Sequence, residues 1–220
     1  MTSFVLKIIA VISMIFDHSG YVVFNKFSFM NYIGRLSFPI FAFLITEGYI
    51  HTKNLKKYFS RLLIFAFISQ IPYMLFIRTF TNTFTLNILF TLSLGLLAIT
   101  VYDKSKSKLL GLLFVGIFSI FAQLLHFDYG WFGIVIIFIF YVLKKQKLYM
   151  NLFFCIATFI NYFYNYITTN RIEYLFIILF CFLSLIPINL YNEKKGKNIK
   201  YFLYIFYPLH LLVLYLITII

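Results

Sequence analysis

FVLKIIAVISMIFDHSGYVVF, from Phe4 to Phe24, is an apolar run that carries three ionisable side chains, Lys7, Asp17 and His18. About 20 apolar residues in a row is what a membrane-spanning helix requires. A charge at the bilayer centre is penalised by roughly 2.5–3.5 kcal/mol on insertion scales, so ionisable groups in such a run face a protein interior or a wet cavity and are functional candidates by default. Lys7 and His18 are eleven positions apart, which at about 100° per residue returns to nearly the same helix face, roughly 16 Å along the axis. One stripe of the first helix thus carries a cation near one membrane surface and an imidazole deeper in.

The rest of the chain repeats the pattern. Its 220 residues are 63% hydrophobic and 11% charged, well outside the globular range, where apolar content is nearer half and charge nearer a quarter. The expectation is an all-α integral membrane protein, a polytopic helical bundle forming one domain over residues 1–220. The first segment has only Lys7 as a basic flank and lacks a small-residue cleavage site after its apolar core, so it is expected to stay rather than be removed as a signal peptide. Cys155 and Cys181 fall inside apolar runs, where a free cysteine behaves as a small hydrophobe. The net charge of +13 comes from lysines spread over short loops between apolar segments. Membrane topology explains it better than nucleic acid, which is not expected as a partner; membrane lipids are.

Polar punctuation divides the chain into nine candidate spans, at 4–24, 32–50, 58–78, 85–102, 109–126, 129–143, 148–166, 172–191 and 201–220. The sixth is short, and His126, Phe127 and Asp128 read either as a tight turn or as a break within a helix, which leaves eight or ten spans open. Lysine clusters occupy the even-numbered connections: Lys53, Lys56 and Lys57; Lys104, Lys106 and Lys108; Lys144, Lys145 and Lys147; Lys194, Lys195, Lys197 and Lys200. The odd-numbered connections and their margins hold Lys26, Arg35, Arg78 and Arg171. Basic residues mark cytoplasmic loops, so the N-terminus is expected in the cytoplasm and the C-terminus outside. Lys7, Glu47, His51 and Arg61 then lie toward the cytoplasmic side. Asp17, His18, Arg35, Asp128 and Arg171 lie in the outer half, and His210 near mid-membrane.

Proline marks weak points in the helices. A proline cannot donate to the carbonyl four residues earlier, so Pro39 frees the carbonyl of Arg35, Pro72 that of Ile68, Pro187 that of Leu183 and Pro208 that of Tyr204. In a membrane each freed carbonyl needs a protein partner or a lined cavity.

Five phrases, LKIIAVISMIFDHSG (6–20), IGRLSFPIFAFLITEGYIHTKNLKKYFSRL (33–62), NILFTLSLGLLAI (87–99), FDYGWFGI (127–134) and YPLHLLVLYL (207–216), together resemble the TraX family of membrane proteins, in order across nearly the whole chain. That family is associated with acetylation of the N-terminus of conjugative pilin and looks related to the transmembrane acyltransferases that modify cell-envelope polymers. In that superfamily a basic residue and a histidine in the first helix are separated by ten residues, the spacing of Lys7 and His18. The superfamily usually has arginine at the place of Lys7, and its paired arginines on the third helix are represented here by Arg61 alone.

The resemblance implies a bacterial cytoplasmic-membrane enzyme that uses acetyl-CoA as acyl donor and a peptide N-terminus or envelope sugar as acceptor. It implies that His18 is the catalytic histidine and that Lys7 serves the donor side. Acyl transfer needs a base for the nucleophile's proton and a donor for the oxyanion, and histidine titrates near neutrality. A neutral histidine bonded to a helix carbonyl on a packed face is the structural alternative for His18. His210 is grouped with His18 as an oxyanion donor, or as an interhelical hydrogen bond that fixes packing. Asp17 is counted with the catalytic set, but it stands about 100° round the helix from His18 and equally suits a partner for Arg35 or Arg171. Arg61 and Glu47 join Lys7 as candidates for the donor side, with Glu47 and His51 neighbours at four-residue spacing. Arg35 and Asp128 are candidates for the acceptor side, Asp128 alternatively belonging to a turn closed by Gly130. His18, His51, His126 and His210 lack metal-site spacing, so no metal is expected. A small transporter would also place charges and proline-broken helices along a path, and a non-catalytic subunit of a pilus or secretion assembly would tolerate replacement of His18.

Overall fold

The computed structural model describes residues 1–24 and 27–219; Lys26, counted with the odd-numbered connections, and Ile220, the end of the ninth segment, lie outside the described residues. The fold is all-helical. Eleven helices are described: α1 (Ser3–Phe24), α2 (Phe29–Gly34), α3 (Ser37–His51), α4 (Leu55–Arg78), α5 (Ile88–Lys104), α6 (Lys108–Leu124), α7 (Gly130–Val142), α8 (Lys147–Thr169), α9 (Glu173–Leu183), α10 (Leu185–Asn189) and α11 (Lys200–Thr218). Each of the nine apolar segments falls on one helix or on a broken pair, α2 with α3 and α9 with α10.

Among the described residues, four stretches are long and apolar enough to cross a membrane: Ser3–Phe24, Phe29–His51, Leu55–Arg78 and Tyr201–Thr218. α7 has 13 residues, about 20 Å at 1.5 Å per residue, which is short of a hydrocarbon core about 30 Å thick.

Of the four prolines, Pro39 and Pro187 lie at the two breaks, whereas Pro72 and Pro208 sit inside the continuous α4 and α11. Between α2 and α3, the amide of Arg35 donates to the Tyr32 carbonyl at 3.0 Å and that of Leu36 to Ile33 at 3.2 Å, a tightening to three-residue spacing. Pro39 is then the third residue of α3, in the first turn where a missing N–H costs little. The carbonyl of Arg35 that it frees receives the thiol of Cys181 at 3.9 Å. α9 ends at Leu183, the residue whose carbonyl Pro187 frees, and the Ser184 hydroxyl donates to the Cys181 carbonyl at 2.5 Å.

The chain forms two compact units, Met1–Phe41, Leu75–Asn82 and Thr158–Ile220 in one, Ala42–Met74 and Thr83–Ala157 in the other. In the first, α1 packs on α2 and α11, and α2 on α9. Its N-terminal residues are tied to the loop before α11: Ser3 N–H donates to Lys194 O at 2.8 Å, Phe4 N–H to Lys195 O at 3.1 Å and Asn192 N–H to Met1 O at 2.9 Å. In the second, α5, α6 and α7 pack on one another around Ala98, Val115, Ala122 and Ile134. The segment 125–129 is a tight turn rather than a helix break. His126 and Tyr129 take left-handed conformations, with φ of 52° and 63°, and Leu86 bridges to Phe127.

Candidate functional site

The first unit brings together residues 192 positions apart. His18, on α1, and His210, on α11, meet with Nδ1 of His18 at 2.7 Å from Nε2 of His210. The rings meet edge to edge, with centroids 5.0 Å apart and planes within 15° of each other. The other nitrogen of His210, Nδ1, lies 3.0 Å from the carbonyl oxygen of Phe206, one turn earlier on the same helix. The Phe206 ring lies parallel to His210 at 4.9 Å, and the Phe76 ring meets His18 edge-on at 5.4 Å. His210 is 9% exposed. Both of its ring nitrogens are engaged in this arrangement.

The residue beside His18 faces a different neighbour. Asp17 Oδ1 accepts from Arg35 Nη2 at 2.9 Å, while Arg171, the other candidate partner, pairs with Glu173 at 3.5 Å. Asn31, wholly buried, knits this pair to the helix start. Its Nδ2 donates to Asp17 O at 2.6 Å and Asp17 Oδ1 at 3.2 Å. Its Oδ1 accepts from Ser28 N–H at 2.7 Å and from the Ser28 hydroxyl at 3.0 Å. Arg35 Nε completes the ring by donating to Asn31 O at 3.3 Å. Asn31 was not among the sequence candidates. Its signal was the serine three residues ahead of it at the start of an apolar run, the spacing of a capping box.

Lys7 lies on α1 with His18, half-buried, and the charge of Lys195 bears on it. Lys195 had been read only as part of a topology signal.

The remaining candidates belong to the second unit. Glu47 is 4% exposed, forms an ion pair with Lys144 Nζ at 2.5 Å and lies 3.4 Å from His51 Nε2, neither contact aligned as a hydrogen bond. Sequence spacing found His51 but not Lys144. The Nε of Arg61 is buried without a hydrogen-bond partner among the described residues. The backbone of Asp128 serves the turn before α7: its N–H donates to Leu86 O at 2.8 Å and its carbonyl accepts from the Thr91 hydroxyl at 2.5 Å. Among the described residues no group of three or more His, Cys, Asp or Glu side chains is placed to hold a metal ion.

Residues 3–218 match the family described as TraX protein. The chain belongs to the TraX family. Among curated proteins, this TraX chain is 32% identical over 148 residues to a protein named "Probable fimbrial assembly protein FimC, serogroup H1" of Dichelobacter nodosus, covering 61% of this chain and 59% of that one. It is 29% identical over 158 residues to an uncharacterized protein of Rickettsia prowazekii (strain Madrid E), covering 70% of this chain and 60% of that one. The matched stretch thus spans less than two thirds of either relative. No solved structure matches the TraX chain.

Proposed function

We propose that this TraX-family chain is a polytopic membrane acyltransferase of a bacterial cytoplasmic membrane, transferring acetyl from acetyl-CoA to an amine or hydroxyl, with His18 as general base. The observation that carries the reading is the meeting of His18 and His210 at 2.7 Å, in the unit that also holds the Asp17–Arg35 pair. A half-buried imidazole anchored through one nitrogen has the other available for proton transfer, the geometry a positioned base needs. Lys7, roughly 16 Å from His18 along α1, suits an anionic part of the donor at the cytoplasmic end, leaving an extended arm to carry the thioester toward His18. Arg35 is the cation for the acceptor side. Membrane insertion rests on the four stretches long and apolar enough to span and on the lysine alternation, which together favour nine segments with the N-terminus inside.

The acceptor class follows from the relative's name. A protein named for fimbrial assembly points to a pilin-like peptide N-terminus, with an envelope sugar as the other acceptor. The same name favours a second reading, a non-catalytic membrane subunit of pilus assembly.

Turnover of labelled acetyl-CoA by the purified protein in lipid, with and without envelope extract, separates the two. Label on an acceptor, or released CoA, that is lost in a folded His18→Ala variant supports the enzyme. Absence of turnover with acetyl-CoA and with longer acyl donors, together with wild-type pilus assembly by His18→Ala cells, selects the assembly subunit.

A further inference from the structure

The two histidines differ in what their hydrogen-bond partners allow. The carbonyl oxygen of Phe206 is only an acceptor, so the hydrogen in its 3.0 Å contact resides on Nδ1 of His210. A neutral imidazole carries one N–H and one lone pair, which makes Nε2 of His210 the lone-pair nitrogen. That nitrogen lies 2.7 Å from Nδ1 of His18. Two lone pairs do not face each other at that distance, so Nδ1 of His18 carries a hydrogen and donates. The proton on His18 is then spent on Nδ1, and Nε2 is its bare, basic nitrogen. Both rings are held in plane, His210 by the parallel Phe206 ring at 4.9 Å and His18 by its hydrogen bond to His210, with ring planes within 15° of each other, and by the edge contact with Phe76 at 5.4 Å.

We propose that His210 is a positioning residue that holds His18 in the Nδ1–H tautomer, making Nε2 the acting base, and that it takes over the Nδ1 proton while His18 is protonated. The proposal rests on the acyltransferase reading for its chemistry but not for its geometry. As the acceptor nitrogen or oxygen attacks the thioester carbonyl, its proton passes to Nε2 of His18. The hydrogen on Nδ1 of His18 shifts to Nε2 of His210. The positive charge then sits on His210, whose Nδ1–H remains on the Phe206 carbonyl. When the tetrahedral intermediate collapses and the carbon–sulfur bond breaks, the thiolate takes the proton from Nε2 of His18, and His210 returns its hydrogen to Nδ1. One acceptor hydrogen has been exchanged for an acyl group, and the thiol leaves protonated. In other acyl-transfer enzymes a carboxylate behind the base holds its tautomer and stabilises the imidazolium without taking the proton; here the group behind the base is a second neutral imidazole, itself fixed by a helix carbonyl, whose free lone pair accepts the proton.

The test is nitrogen-15 NMR of the full chain in lipid at neutral pH with labelled histidine, comparing wild type, His210→Gln and His210→Ala, with turnover measured on the same samples. The expected wild-type spectrum has His18 protonated on Nδ1 and bare on Nε2. His210→Gln, whose amide oxygen still accepts, keeps that tautomer, whereas His210→Ala loses it and lowers kcat about 10²-fold, within the range of one acid–base group, with KM for the donor unchanged. His18 carrying its hydrogen on Nε2 in the wild type, or an unchanged tautomer in a folded His210→Ala variant, overturns the proposal. The spectrum needs no turnover. The predicted tautomer in a protein that uses no acyl donor sinks the acyltransferase reading alone; turnover by a protein whose His18 is protonated on Nε2 sinks the tautomer alone.

Discussion

Asp17 and Arg35 form a 2.9 Å ion pair between α1 and the end of α2, with side chains 14% and 16% exposed. Asp17 thereby points away from its neighbour His18 in role as well as in angle: it locks the helix hairpin, while His18 reaches α11. The lock is possible because α2 comes very close to α1. A Cβ built on Gly34 would lie 2.7 Å from the Cα of Asp17, and backbone cannot give way there.

Gly34→Ala should therefore push the two helices apart. Overpacking of this kind costs about 1–3 kcal/mol. The expected result is a lower Tm in detergent or lipid, and a loss of acyl transfer steeper than the loss of fold. An unchanged Tm would show that the hairpin is looser than its close approach implies.

Removing either charge of the pair should be worse than removing both. Arg35→Ala removes the cation beside a poorly exposed carboxylate, and Asp17→Asn removes the carboxylate from the Arg35 guanidinium. Each is expected to cost about 2–3 kcal/mol, the low side of the range for a buried pair because both side chains keep some solvent. The double variant should recover part of that. A double-mutant cycle on unfolding in mild denaturing detergent reads the coupling; additivity would mean that the pair contributes nothing.

Glu47 and Lys144 make the same prediction in the second unit, with a sharper margin, because Glu47 is 4% exposed. Among the described residues, Lys144→Met leaves the Glu47 carboxylate with His51, an exposed partner. A loss of about 3–5 kcal/mol is expected at neutral pH, with substantial rescue by Glu47→Gln in the same chain. Thermal unfolding of the single and double variants is the measurement, and absence of rescue would remove the ion pair from the argument.

Asp103, just beyond the fourth apolar segment, carries a pH signature. Hydrogen bonds from Tyr141 and Tyr49, the latter at 2.7 Å, hold its carboxyl below the ordinary carboxylate range. A carboxyl with a lower pKa folded than unfolded stabilises fully above its unfolded value, about 3.9, and loses that contribution as pH falls through the folded value. Backbone amides at the end of α5 should exchange faster as pH drops through that window, beyond the intrinsic change in exchange rate. In Asp103→Asn the extra acceleration should vanish. Identical profiles for the two proteins would remove Asp103 as its source.

How much of this was legible beforehand depended on the range of the interaction. The run from Phe4 to Phe24 predicted a single unbroken α1, and apolar length with polar punctuation located the other helices to within a few residues. Pro39 and Pro187 marked both breaks, since a missing N–H acts on a carbonyl only four residues away, but Pro72 and Pro208 carry the same signal inside the unbroken α4 and α11. The capping spacing of Ser28 and Asn31 was equally readable, though Asn31 went unnoticed among the apolar residues around it. Five phrases in order carried the TraX resemblance, and the match over residues 3–218 bears it out.

Partnership between helices was not legible. Helical periodicity says that Lys7 and His18 share a face and that Asp17 is turned from it, but not which helix each face meets. Arg35 and Arg171 were equal candidates for Asp17 until packing placed α2, and not the start of α9, against α1. Lys144 looked like one more loop lysine, although it neutralises Glu47 across 97 positions of chain. His210 could be named as a companion of His18, yet its role turned on which nitrogen faces the Phe206 carbonyl. Local chemistry is written in neighbouring residues, because backbone hydrogen bonds, caps and proline breaks act within a turn or two. The hydrogen-bond roles of two facing histidines depend on distances of a few tenths of an ångström between helices, which are decided only when the packed structure brings their faces together.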